Sequence, residues 1–544
     1  MNHPAHPDWG DTWPAVRQEA HFGERIVACF VDRPHSVHEL LEDAERANPD
    51  GDALVCGDER LSYRALLERS SRCAAGLAAR GVGRGDRVAM LLGNRIEFVV
   101  VLFAVARLGA ICVPLSTREQ TPGLRYMLAH CEAALLVHEA ALAAVLPAAD
   151  ALPALRCRVS VGDCEGSEAF EALLAHGEGP APADVDEEDT AAILYTSGTT
   201  GQPKGAMLTH LGIVHSSMHY QIAMGLGATD SSIAAVPLSH VTGLVAMVTT
   251  MVRSAGKLTI MPAFKAADFL QLAARERMTH TLMVPAMYNL CLLQPDLARF
   301  DLTHWRIGAF GGAPMPLESI RTLMRKAPSL TLMNCYGSTE TTSPATLMPP
   351  GQAERRLATT GAPLACVEMR VMDASGRELP AGETGEIWIK GPMVVRGYWN
   401  NPQASADNFT AGFWHSGDIG AIDVDGYVSV VDRMKDMINR GGYKIYTIEV
   451  ENALYTHPAV QECAVVAKPC PVLGERAHAF VSLKEGGVTE QALAAFVRPL
   501  LSDYKVPDSW TISTTPLPRN ANGKLMKREM RDQVAAAQGA RDGQ

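Results

Sequence analysis

Apolar and polar positions divide the chain into two stretches of different character. Up to about residue 340, short apolar runs alternate with longer segments of helical period. Ser62 is placed to cap a helix running to Arg80, with Gly81 at its end. Strand-like Arg87–Leu92, helix-like Arg95–Leu108 and strand-like Ala110–Leu115 follow. A second series carries strands near Ala191–Tyr195, Ile233–Val236, Lys257–Met261, Thr281–Val284, Arg306–Phe310 and Leu330–Tyr336. Helices near His210–Ala223, Ala267–Arg277 and Leu317–Lys326 separate several of them. Such alternation predicts an α/β fold of mostly parallel, helix-covered sheets.

The pattern changes after about residue 345, where short runs sit between Gly, Asp and Asn turns. Glu368–Met372, Glu386–Lys390 and Tyr427–Val431 predict a small antiparallel, barrel-like β unit. The charged stretch Asp432–Asp436 then leads into a compact α+β segment. Its predicted parts are a helix near Ile448–Tyr455, strands near Val460–Ala467 and Ala479–Leu483, and a helix near Thr489–Leu501. This reading places a large N-terminal domain over residues 1–434 and a small C-terminal domain over residues 435–544, hinged at the charged stretch.

Composition narrows the function. Of 544 residues, 49 are basic and 60 acidic, giving a net charge of −11 that speaks against nucleic-acid and anionic-membrane partners. Twelve cysteines in such a length are too dilute for a disulfide scaffold and read as reduced thiols. The apolar runs Phe98–Ala106 and Val241–Val252 are too short to span a bilayer, and no secretory signal is evident at the start. The expectation is a cytoplasmic protein with no integral membrane segment, compatible with a homodimer.

The densest chemistry lies in Tyr195-Thr-Ser-Gly-Thr-Thr-Gly-Gln-Pro-Lys-Gly205, placed between a predicted strand and a helix capped by Thr209. Its glycines allow a tight turn that aims backbone N–H groups at one anion. Thr196, Ser197, Thr199 and Thr200 add hydroxyl donors, and Lys204 adds a positive charge. An acidic protein needs such a local set to meet a pyrophosphate or triphosphate. The spacing differs from a Walker A loop, which needs G-x-x-x-x-G-K-[ST]. Two more glycine turns, Gly311-Gly312-Ala313 and Gly337-Ser338-Thr339-Glu340, follow predicted strands at the end where open α/β sheets build ligand crevices. Tyr336 can stack on a base, Thr339 can donate to a phosphate, and Glu340 suits a phosphate-bound Mg²⁺.

Together these motifs resemble the adenylate-forming superfamily of acyl-CoA synthetases, luciferases and peptide-synthetase adenylation domains, from about residue 36 to 532. The resemblance implies that Thr196, Ser197, Gly198, Thr199, Thr200, Gly201 and Lys204 hold ATP phosphates, with Thr199 and Glu340 serving Mg²⁺. It implies that Gly311, Gly312, Ala313 and Tyr336 bound the adenine, that Thr339 touches the α-phosphate, and that Gly337 and Ser338 belong to the same nucleotide-binding turn. Ser416-Gly417-Asp418 resembles the T-G-D element whose aspartate takes the ribose hydroxyls, and Arg433 resembles the arginine on the same ribose. Lys435 falls at the hinge, and Gly441-Gly442 resembles the loop against pantetheine. Pro518-Arg-Asn-Ala-Asn-Gly-Lys524 resembles the loop whose lysine reaches the carboxylate and α-phosphate, although Lys524, Lys527, Arg528 and Arg531 could also form a solvated basic face. The chain departs from the usual pattern at Asn439–Lys444, and it has Thr447 where a proline is common before Glu449-Val450-Glu451.

The implied activity is an ATP-dependent acid–CoA ligase. A carboxylate, already ionised at neutral pH, attacks the α-phosphorus without a general base. CoA then displaces AMP. Val236–Leu244 resembles the segment that opens the acyl pocket, with His240 at a position that gates the acyl site or faces its carboxylate. That segment lacks the aspartate of amino-acid-activating relatives, and Ser239–Met251 carries no arginine for a second carboxylate. Val241, Leu244, Met247, Met283, Val284 and Tyr288 suggest an apolar pocket for a fatty or aromatic acid. Loading of a carrier-protein phosphopantetheine is one alternative, and a catalytically silent nucleotide-binding regulator is another. His215 and His219 stand four apart on one helix, a spacing that can bind metal but here lacks a third ligand.

Overall fold

The computed structural model describes residues 6–196, 202–294, 297–519 and 525–542. Two sheets form the large body. In the seven-stranded sheet, strands Thr190–Thr196, Ile111–Pro114, Arg87–Leu91, Leu135–Glu139 and Cys157–Val161 run parallel in that spatial order. In the nine-stranded sheet the parallel run is Thr331–Tyr336, Ile307–Gly311, His280–Met283, Ser231–Ala234, Lys257–Ile260 and Asp52–Cys56.

Helices Tyr63–Ala79, Ile96–Arg107 and His210–Ala223 share one apolar core with both sheets. Ile96–Arg107 is apolar on nearly every side and buried at every position but Glu97, as a helix enclosed by other layers must be. Local signals set the ends. Ser62 Oγ accepts the Ala65 N–H at 3.2 Å, and Thr209 Oγ1 accepts the Gly212 N–H at 3.1 Å.

The barrel-like unit is a five-stranded antiparallel sheet that includes Glu368–Met372, Gly385–Lys390, Phe413–Ile422 and Val428–Arg433. Beyond it lies a second five-stranded sheet with its own core, built on Ile438, Ile445, Val450, Val465, Ala479 and Leu493. The fold is therefore α/β, with a large N-terminal part of mainly parallel sheets and a smaller α+β C-terminal part. No helix among the described residues is long and apolar enough to cross a membrane, and all twelve cysteines are free thiols.

One local expectation needs correction. The Gly- and Thr-rich segment after Thr196 does not lead directly into a helix. Lys204–Thr209 is a strand that pairs antiparallel with Thr190–Thr196, opposing Thr196 to Lys204 and Tyr195 to Gly205. The segment thus joins the arms of a hairpin at the edge of the seven-stranded sheet, and the helix begins only at His210. The strand Leu135–Glu139 and the N-terminal hairpin Val16–His21/Arg25–Phe30 were also not among the predicted elements.

Candidate active site

The candidate residues gather where the parallel strands end. The strand Thr331–Tyr336 delivers Tyr336 and the turn Gly337–Glu340. Glu340 is buried. Its Oε2 accepts from Ser338 Oγ at 2.6 Å, and its Oε1 accepts from Tyr398 Oη at 3.0 Å and from Thr196 Oγ1 at 3.4 Å. Two segments far apart in sequence, the start of the hydroxyl-rich turn and the Glu340 turn, therefore share one cleft. Lys204, opposite Thr196 in the hairpin, lies with its ammonium 5.0 Å from the Tyr398 ring centroid.

The other end of the cleft is built by antiparallel pairing of Phe413–Ile422 with Val428–Arg433, which sets Asp418 opposite Arg433. Asp418 is buried, accepts Tyr336 Oη at 2.8 Å on Oδ2, and meets Arg433 Nε at 3.0 Å on Oδ1. Burial, reinforced by Asp418, holds the Tyr336 phenol well above its ordinary range, so it stays a donor. Asp418 in turn raises Arg433, which remains a cation. Tyr336 thus joins a carboxylate at one end of the cleft to a second carboxylate, Glu340, four residues on.

Gly311 and Gly312 end the neighbouring strand. A Cβ on Gly311 would stand 2.4 Å from the Cys335 carbonyl oxygen, so only glycine lets these two strand ends approach so closely. Ala313 follows them, and Thr339 is buried beside Glu340. His240 sits before the π-helical stretch Thr242–Thr249, its Nδ1 3.5 Å from Thr242 Oγ1. Asn94 fixes the approach to it, accepting the Leu238 N–H at 2.9 Å and donating to the Val236 carbonyl at 2.9 Å. Val241, Leu244, Met247, Met283 and Tyr288 are all buried in the same core.

Other candidates lie on the small domain. Gly441 and Gly442 take φ of +58° and +92° in the turn between Ile438–Arg440 and Tyr443–Ile445. The Lys435 carbonyl accepts from Arg531 Nη1 at 2.6 Å, and the same guanidinium meets Asp436 at 3.1 Å. Ser197, Gly198, Thr199, Thr200, Gly201 and Lys524 lie outside the described residues. The base of the Lys524 loop is described: Arg519 bridges to Leu525, and the Met526 N–H donates to Pro518 at 3.0 Å.

The basic cluster around Lys524 is not a solvated face throughout. Lys527 is half-buried and meets Glu451 at 2.7 Å and Thr447 Oγ1 at 2.8 Å. Burial pulls its ammonium down, but Glu451 and Asp432 outweigh this and hold it above the ordinary lysine value. Thr447 also donates its N–H to Asp432 at 2.5 Å, a bond that a proline there could not make. The His215/His219 pair is committed to packing. His215 accepts the Phe30 N–H at 3.1 Å and donates to the Leu211 carbonyl at 2.9 Å, while His219 donates to the Ala365 carbonyl at 2.8 Å.

Sequence reasoning missed two participants, Tyr398 and Ser338 as a donor to Glu340. Tyr398 lies in a turn with no charged motif of its own. It reaches the site only by pairing across the sheet edge, where Ala206 and Tyr398 form an isolated bridge.

Comparison with known proteins places this geometry. A family model described as AMP-binding enzyme matches residues 41–399, and one described as AMP-binding enzyme C-terminal domain matches residues 449–524. The chain is 35% identical to a feruloyl-CoA synthase of Amycolatopsis sp. over 487 residues, which is 89% of this chain and 96% of the relative. It is 32% identical to a long-chain-fatty-acid–CoA ligase of Mycobacterium tuberculosis, covering 88% of this chain and 94% of the relative. Among solved structures, the anthranilate CoA ligase AuaEII in complex with anthranoyl-AMP superposes with a TM-score of 0.88 at 25% identity, over 94% of this chain and 99% of that one.

Proposed function

Because this chain belongs to the AMP-binding enzyme family and is an adenylate-forming acid–CoA ligase, we propose that its acid is a fatty or aromatic carboxylate and that the cleft between Asp418 and Glu340 holds the ATP it consumes. The observation that carries this reading is the joining of Thr196, Ser338, Tyr398 and Glu340 in one hydrogen-bonded group, with Lys204 beside it and Asp418 one strand end away.

Each residue then has a chemical task. Asp418 is an acceptor suited to two vicinal ribose hydroxyls, and Arg433 and Tyr336 hold its carboxylate in place. Gly311, Gly312 and Ala313 offer backbone close to the base. Lys204 and the hydroxyls beginning at Thr196 neutralise the phosphate tail. Thr339 donates to the α-phosphate, and His240 faces the acid. The carboxylate oxygen bonds to the α-phosphorus as the bond to pyrophosphate breaks, and Lys524 offsets the charge that gathers there. The CoA thiol then replaces AMP at the acyl carbon, reached past Gly441 and Gly442 as the small domain turns about Lys435.

Mg²⁺ fits the Glu340 end. Among the described residues Glu340 forms no ion pair; only hydroxyl groups hold its buried carboxylate, so its charge is left for a cation. Glu340, with Thr199, would hold the ion, which supplies charge neutralisation on the phosphates. The apolar residues from Val241 to Tyr288, with no ionised group in the His240 segment, support an alkyl or aryl tail. The use of ATP and CoA supports a cytoplasmic setting for the reaction.

The test is a panel of carboxylic acids assayed for AMP release with CoA present. Fatty or aryl acids are expected to release AMP and yield the acyl-CoA. Activity confined to α-amino acids or dicarboxylates would refute the substrate class.

A further inference from the structure

The segment Gly397–Asn401 is stitched to the hairpin that carries Lys204. The Trp399 N–H donates to the Gly205 carbonyl at 2.7 Å, and the Met207 N–H donates to the Gly397 carbonyl at 3.1 Å. Its other side is pinned to the next helix. The Tyr398 N–H donates to Ser405 Oγ at 2.9 Å, Ser405 Oγ donates to the Asn401 carbonyl at 3.0 Å, and Asn401 caps Pro402–Asn408. A third tie reaches the metal-side turn, where the Val395 N–H donates to the Glu340 carbonyl at 2.9 Å. The backbone around Tyr398 is thereby tied to three neighbouring segments, and its side chain is held in a residue only 4% exposed.

Both ends of this side chain touch the site. Side chains two apart in a strand share a face, so Lys204 lies on the side of the strand that Ala206 and its bridge partner Tyr398 define. The ring presents its face to the Lys204 ammonium at 5.0 Å. The hydroxyl donates to Glu340 Oε1 at 3.0 Å. Burial, aided by Glu340, keeps the phenol protonated well above its ordinary range, so it acts as a fixed donor and not as a base.

We propose that Tyr398 is a positioning residue that sets the phosphate-side lysine and the metal-side carboxylate at a fixed separation, its ring steadying Lys204 and its hydroxyl orienting Glu340. The proposal rests on the assignment of Glu340 to Mg²⁺ and Lys204 to the phosphates. Outer partners that orient a ligating carboxylate typically affect metal affinity by 10–100-fold when removed. The two contacts are separable, because phenylalanine keeps the ring and loses only the hydroxyl.

The experiment is calorimetric titration of ATP into the acid-free enzyme, without Mg²⁺ and at saturating Mg²⁺, for wild type, Glu340→Gln, Tyr398→Phe and Tyr398→Leu. The ratio of the two dissociation constants is the metal's contribution, and it does not depend on turnover. Tyr398→Phe is expected to cut that ratio about tenfold while leaving metal-free ATP affinity within twofold. Tyr398→Leu is expected to cut the ratio equally and also weaken metal-free binding. In steady state, Tyr398→Phe should raise the half-saturating Mg²⁺ concentration more than it lowers kcat. A ratio that falls in Glu340→Gln but stays at the wild-type value in Tyr398→Phe overturns the role of Tyr398 and leaves Glu340 in place. A wild-type ratio in Glu340→Gln overturns the metal assignment, and the role of Tyr398 with it.

Discussion

Replacing Asp418 with asparagine tests the nucleotide end of the cleft. The substitution conserves volume and removes the charge. Asp418 now accepts from Tyr336 on one oxygen and faces Arg433 on the other. An asparagine has one acceptor oxygen, so its amide must turn an NH₂ group towards one of these two donors. The amide can keep its oxygen on Tyr336 and turn its NH₂ towards Arg433, whose side chain is 48% exposed and can take a water instead, so the stability cost is about 1–2 kcal/mol. The binding cost is larger. A buried carboxylate that takes two ribose hydroxyls makes charge-assisted bonds of about 1.5–3 kcal/mol each. Losing about 3 kcal/mol in total raises the KM for ATP about 100-fold. The assay compares ATP with 2′-deoxyATP in pyrophosphate release. Wild type should strongly prefer ATP, and Asp418→Asn should lose most of that preference with a melting temperature close to wild type. Full discrimination retained by Asp418→Asn would refute the assignment of this carboxylate to the ribose.

Three further outcomes follow from the geometry. Lys524→Ala should depress acyl-AMP formation far more than thioester formation from supplied acyl-AMP; equal losses in single-turnover assays of the two half-reactions would remove its assigned role. His38, His210, His219 and His280 are buried and held neutral, each pushed down to about 4 by burial, with Arg107 also acting on His38. The unfolded chain takes up protons at these four side chains below the ordinary histidine value, so stability is lost as pH falls from about 6.5 towards 4. The loss is about 2 kcal/mol per histidine between pH 7 and pH 5, read as a falling urea midpoint in tryptophan fluorescence; a constant midpoint over that range would contradict it. Substituting His215 with phenylalanine leaves the buried Phe30 N–H without its acceptor and should cost about 1–3 kcal/mol at pH 7 by the same measurement.

The parts of the fold with a strong local signature were legible in advance. Thr209 and Ser62 capped the helices they were expected to cap, and His210–Ala223 and Leu317–Lys326 begin and end as the periodicity indicated. The strand Lys204–Thr209 was not legible, because four of its six residues are buried and no polar–apolar alternation marks it. Parallel strands enclosed by helices lose that alternation too, as in the fully buried Ser231–Ala234. At the site, motif residues such as Glu340 and Asp418 carry charge and stand out. Tyr398 does not, because its meaning depends on a pairing with residues nearly two hundred positions earlier. Lys527 was visible only as part of a basic run; its partners Thr447 and Glu451 come from another helix.

The bond from Thr447 to Asp432 joins the antiparallel sheet to the small α+β part. Asp432 ends a strand of the antiparallel sheet of the large body, and Thr447 opens the first helix of the small domain. Asp432 is only 2% exposed, so any departure of Thr447 must leave the Asp432 carboxylate with another donor besides the Arg433 N–H that it keeps, or incur a penalty. A Thr447→Pro variant, lacking the amide hydrogen, removes this bond between the two parts of the chain.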